Sequence, residues 1–93
     1  MQSAIASALR DQGVSFEREV ALSKSDIVDF MVGNVAIECK VNGPALGVFR
    51  QVKRYMEHDN VHSLILYTSF HMGLPDMINN KPTLVVKPGL AWL

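Results

Sequence analysis

The chain has 93 residues, nine basic against nine acidic side chains, and a single cysteine. That length supports one domain, expected to span residues 1–93; a 48% hydrophobic share without net charge excludes intrinsic disorder, and Cys39 alone excludes a disulfide framework. Zero net charge argues against a strongly basic coat that holds nucleic acid indiscriminately, and no apolar run reaches the roughly 20 residues of a membrane span.

In chain order, residues 3–12 are predicted to be a helix, with Ile5 and Leu9 four apart and Gly13 as its stop. The opening MQSAIASALRDQG has neither a basic leader nor a solid apolar stretch, so no secretion signal is expected; with the lone thiol, this suits a cytoplasmic protein. Residues 14–22 alternate, Phe16, Val20 and Leu22 on one side and Glu17, Glu19 and Ala21 on the other, which predicts a strand. Ser23-Lys24-Ser25 is a polar turn. Two β-branched runs follow, 27–32 and 35–41, joined by Gly33-Asn34, a type II′ hairpin signal. Residues 45–58 are predicted as a helix with an apolar stripe of Leu46, Phe49, Val52 and Met56. Residues 61–69 form the next strand, whose separation from the previous one implies a parallel crossover. A turn or short helix near 74–79 and a strand over 83–86, bracketed by Pro82 and Pro88, complete the chain. The expected class is α/β: an αβββαβ order, a mixed central sheet and flanking helices.

The hairpin register carries the chemistry. A two-residue turn pairs Val32 with Val35, and hence Asp29 with Glu38, whose Cβ atoms should lie roughly 4.5–5.5 Å apart. Lys40 lies two residues on, on the same face. Opposed like charges destabilise a sheet unless compensated, and a hard divalent cation is a fitting compensator, since Mg²⁺ takes one or two carboxylates plus waters and phosphate oxygens. The Cys39 side chain points to the other face, while its main-chain carbonyl could reach the metal. Asp26, with the parity of Val28 and Phe30, should face away from Glu38, which leaves Asp29 as the better acid. Solvated side chains on an exposed face are the plainer alternative for all three.

Asp29, eight intervening residues, then Glu38-Cys39-Lys40 resembles the metal motif of the PD-(D/E)XK nucleases, whose restriction-endonuclease-like core has the αβββαβ order. Gln51-Val52-Lys53-Arg54-Tyr55 is similar to the QxxxY pattern of that superfamily's RecB-like branch, on the corresponding helix. The small size resembles the stand-alone phage-type members, including the virus-type replication-repair (VRR-NUC) group, some of which resolve branched DNA as dimers. The resemblance implies a Mg²⁺- or Mn²⁺-dependent DNA endonuclease, Holliday-junction resolvase-like and dimeric, acting in the cytoplasm of a bacterial or phage-infected cell. Asp29 and Glu38, with the Cys39 carbonyl, would hold the metal. Lys40 would orient the nucleophile or offset developing charge, and Gln51 and Tyr55 would lie against substrate near the scissile phosphate, with a core-edge aromatic for Tyr55 and a solvated helix residue for Gln51 as the alternatives. The chain departs from many relatives in offering only Gln2 and Asp11 on the first helix, where they carry a glutamate, and in lacking a proline before Asp29. If the Ser23–Ser25 turn has three residues, Glu19 would face Asp29 as a third acid; an exposed strand glutamate is the plainer alternative.

Arg50, Lys53 and Arg54 cluster on the QxxxY helix and are candidates for DNA phosphate contacts, with a solvated helix face as the alternative. His58, His62 and His71 make at best a weak zinc pattern with Cys39. Trp92 and Leu93 are expected to cap the core or a subunit interface. Two other readings stand beside the nuclease: a catalytically inactive nuclease-fold module that binds DNA or protein, and a structural domain without a nucleic-acid partner.

Overall fold

The computed structural model describes residues 1–87; the expectations for Pro88, Trp92 and Leu93 lie outside them. Its elements are α1 (Gln2–Asp11), β1 (Glu17–Ala21), β2 (Ile27–Val32), β3 (Val35–Lys40), α2 (Ala45–Tyr55), β4 (Ser63–Thr68), β5 (Met77–Ile78) and β6 (Lys81–Val86). The strands form one mixed sheet in the order β1-β2-β3-β4-β6-β5. An antiparallel meander of β1, β2 and β3 leads into parallel neighbours β3, β4 and β6, and β5 returns antiparallel to β6. The α/β class and the β3-α2-β4 parallel unit are therefore as the sequence suggests.

Gly33 has φ +58 and Asn34 has negative φ, as a type II′ turn requires, and the ladder pairs Val32 with Val35, Met31 with Ala36 and Phe30 with Ile37. At the other end of the sheet the structure departs from expectation. Asn79 and Asn80 both have positive φ (54° and 60°) and close a tight hairpin that pairs Ile78 with Lys81. The turn or short helix expected near 74–79 is thus a short strand, Met77–Ile78, leading into a type I′ turn, a conformation that asparagine tolerates.

The sheet is covered on both faces. On one, Ile5 and Ala6 of α1 pack against Phe30 and Ile37, with Phe16 edge-on to Phe30 at 5.7 Å between centroids. On the other, Val48, Val52 and Tyr55 of α2 pack against Val28, Met31, Ala36, Leu64 and Leu66. The stripe on α2 is rotated from the expected one: Leu46 is 58% exposed, and Val48 and Tyr55 take the sheet-facing positions. Among the described residues no helix is long and apolar enough to cross a membrane.

Strand parity breaks in β1 and β2, and the break shapes the site. In β2, Phe30 lies on the α1 face but Val28 on the α2 face; just before and within β1, Phe16 lies on the α1 face but Val20 on the α2 face. Pairing holds on both sides of the break, Arg18 with Phe30 and Val20 with Val28, while Glu19 between them has φ +51. Both strands turn over at the level of Glu19 and Asp29. The expected single face for Phe16, Val20 and Leu22 is therefore wrong, as is the placement of Asp26 away from Glu38. Asp26 lies under α2, bonded to Arg54 and His58.

Candidate metal centre

The β2–β3 ladder pairs residues only as far as Phe30 and Ile37. At the next rung, side chains substitute for the ladder: Asp29 N–H donates to Glu38 Oε1 at 3.1 Å, and Cys39 N–H donates to Asp29 Oδ2 at 2.8 Å. The two carboxylates are thereby fixed beside one another where the strands part. In an extended strand the N–H and C=O of one residue point to the same side. The Cys39 N–H is aimed at Asp29, so its carbonyl opens into the same gap.

Glu38 is only 3% exposed. Besides Asp29 N–H, it meets Lys40 Nζ at 3.5 Å and accepts from the Tyr55 hydroxyl at 3.3 Å. Burial first, and the Asp29 charge next, push its pKa up to about 7, against the pull of the Asp29 N–H and Lys40. Burial, with the charges of Asp29 and Glu38, pushes the Cys39 thiol up to about 12, and its side chain packs on the α1 face. Half-buried, this thiol is kept from ionising at neutral pH.

Tyr55, expected against substrate, is fully buried. Its single hydroxyl proton is shared between Ile27 C=O at 2.8 Å and the more distant Glu38 Oε2 at 3.3 Å, and its oxygen accepts from Gln51 Nε2 at 2.8 Å. Burial, then the charge and hydrogen bond of Glu38, raise its pKa well above the ordinary 10. The Tyr55 hydroxyl thus acts on the protein rather than on a ligand, and takes up a carbonyl that β3 no longer pairs. Gln51, half-buried one turn earlier, orients that hydroxyl.

Arg54, also expected against substrate, places Nε 3.1 Å from Asp26 Oδ1 while remaining half exposed. His58 Nε2 lies 3.2 Å from Asp26 Oδ2. Burial works to raise the Asp26 pKa, but the hydrogen bonds and charge of His58 and Arg54 outweigh it and hold this carboxyl below its ordinary 3.8. Sequence reasoning missed this cluster because strand parity placed Asp26 on the wrong face. Arg50 and Lys53 are exposed on α2.

The Ser23–Ser25 turn closes as a three-residue loop, with Leu22 N–H donating to Asp26 C=O at 2.7 Å, so Glu19 does stand opposite Asp29 in register. It is exposed, however, and no group of three His, Cys, Asp or Glu side chains converges among the described residues. Gln2 of α1 accepts from Arg18 Nη2 at 3.2 Å. The histidines are dispersed: His58 joins Asp26, His62 joins Asn34 and His71 joins Lys87, which leaves no zinc-like set among these residues.

Two carboxylates and a carbonyl suit a cation that keeps several waters, as Mg²⁺ does, rather than one that demands a closed protein shell. A buried carboxyl pushed up to about 7 beside a second acid is a pair whose charge lacks full compensation. No family model matches the chain, and no curated protein or solved structure matches it.

Proposed function

We propose that this chain is a divalent-metal-dependent DNA endonuclease with a PD-(D/E)XK-type core. What carries this reading is the Asp29–Glu38 pair at the parting of β2 and β3, with Lys40 Nζ 3.5 Å from Glu38. Asp29, Glu38 and the Cys39 carbonyl would hold Mg²⁺ or Mn²⁺. When bound, such a cation lowers the pKa of a water and neutralises charge on the scissile phosphate. Lys40 orients the attacking water and offsets charge as it builds on the phosphate oxygens. The Tyr55 hydroxyl fixes the rotamer of Glu38, and Gln51 fixes that hydroxyl. Arg50 and Lys53 hold neighbouring phosphates without reading sequence. Acting on branched DNA, two such sites related by a twofold axis would make paired nicks; the chemistry belongs in the cytoplasm of a bacterial or phage-infected cell.

The test is cleavage of plasmid and four-way-junction DNA with Mg²⁺ or Mn²⁺. Cleavage that a chelator abolishes, and that Asp29→Ala removes while DNA binding survives, supports the reading. Folded protein that cuts no form of DNA with either metal contradicts it. One observation favours a second reading, a DNA- or protein-binding module without activity: among the described residues only two acids converge, and α1 offers Gln2, already bonded to Arg18. Under that reading Asp29→Ala has no cleavage to remove.

A further inference from the structure

The geometry points to Asp26, Arg54 and His58 as positioning residues that set the spacing of the Asp29–Glu38 pair, an inference that rests on the metal-dependent reading of that pair. No ladder pair joins β2 to β3 before Phe30, so the inner neighbour holds the segment from Asp26 to Asp29 only at its far end, through the side-chain bonds of Asp29 and Glu38. On the β1 side it is paired only at Ile27 and Val28, next to a Glu19 in a left-handed conformation. What fixes it from the α2 face is a three-point clamp. Arg54 Nε and His58 Nε2 each take one oxygen of the Asp26 carboxylate, at 3.1 and 3.2 Å, and the Tyr55 hydroxyl takes Ile27 C=O at 2.8 Å.

Asp26 is 5% exposed, so its carboxylate is not a surface group that happens to meet a cation. Its backbone is fixed as well: Asp26 N–H donates to Ser23 Oγ at 3.2 Å, and its carbonyl accepts from Leu22 N–H. Asp29 lies three residues further along the same extended backbone. Any swing of residues 26–29 therefore moves the Asp29 carboxylate relative to Glu38. The same helix turn that contacts Glu38 through Tyr55 contacts Asp26 through Arg54, so one rigid element sets both sides of the gap. Partners that orient metal ligands in this way are worth roughly 10–100-fold in affinity or activity when removed.

Arg54 thereby has a different task from a DNA phosphate contact, and the two are separable. Asp26→Ala and Arg54→Ala are compared with the unmodified chain for Mn²⁺ affinity by calorimetry, for amide exchange at Asp29 and Cys39 in metal-free protein, and for the salt dependence of DNA binding. The expected result is an about tenfold or greater loss of Mn²⁺ affinity in both variants. Asp29 and Cys39 amide exchange should be faster in both, the double variant should be no worse than Asp26→Ala alone, and the salt slope should be unchanged. A phosphate-contacting Arg54 would instead lower the salt slope by about one, leave Mn²⁺ affinity intact and show no kinship with Asp26→Ala. Unchanged Mn²⁺ affinity and amide exchange in both variants would overturn the clamp and leave the nuclease reading standing; an unmodified chain that binds no Mn²⁺ would overturn both. If Asp26→Ala does not fold, Arg54→Ala, half exposed in the native chain, separates the same outcomes alone.

Discussion

Glu38 is the residue on which the site turns, and its titration has a definite sign. Its folded pKa of about 7 lies above the ordinary 4.5, so between those values the folded chain holds a proton that the unfolded chain has lost. Stability of the metal-free protein therefore falls as pH rises through that window, by on the order of 3 kcal/mol at ~1.4 kcal/mol per unit, and levels off above it. Thermal melts of metal-free protein at pH 5 and pH 8 check this, and added Mn²⁺ should raise the melting temperature more at pH 8, where Glu38 is ionised. A melting temperature that climbs steadily from pH 5 to pH 8 would contradict the assigned burial of Glu38. Tyr55→Phe keeps the ring packing but leaves Ile27 C=O and Glu38 short of a donor. It should cost about 1–3 kcal/mol in denaturant unfolding.

At the scale of elements, the β2–β3 hairpin was readable because the Gly33-Asn34 turn and two apolar runs specify one register, and a register carries every facing pair with it. The register brings Asp29 and Glu38 to one level, but the ladder ends at Phe30 and Ile37, so the two acids meet through side-chain bonds to the backbone and not as the expected directly opposed pair on one face. What the pattern could not carry was the turnover of β1 and β2 at Glu19 and Asp29: apolar residues occupy both parities around it, so alternation stays plausible on either face. The phase of α2 was hidden for a related reason, since Leu46 and Val48 are equally apolar and only the reach of Tyr55 to Ile27 and Glu38 decides which faces the sheet. Two substitutions test these backbone assignments. Glu19 at φ +51 bears the strain of a non-glycine residue in the left-handed region. Glu19→Gly should stabilise the chain by about 0.5–1 kcal/mol despite the entropy glycine adds to the unfolded state. Gly33→Ala at φ +58 should destabilise it by about 1–2 kcal/mol, with Gly33→Asn milder. Chemical denaturation reads both, and a destabilising Glu19→Gly would contradict the left-handed assignment.

Over the whole molecule, the described helices and strands assemble a site from β2, β3 and α2, and the parallel run β3-β4-β6 braces one side of it. A domain of this size buries only about 60% of the surface its unfolded chain exposes. Association into the proposed twofold dimer would stabilise it and bring two metal centres onto one branched substrate. Sedimentation at micromolar concentration should then report a dimer; a monomer alone would remove the paired-nick version and leave single-site cleavage in place. The most direct measurement of the central claim is a crystal soaked in Mn²⁺ and recorded at the manganese absorption edge. An anomalous peak is expected between the Asp29 and Glu38 carboxylates, within coordination distance of the Cys39 carbonyl. A folded, Mn²⁺-soaked crystal with no peak there, or with its peak at another set of residues, would contradict the metal centre.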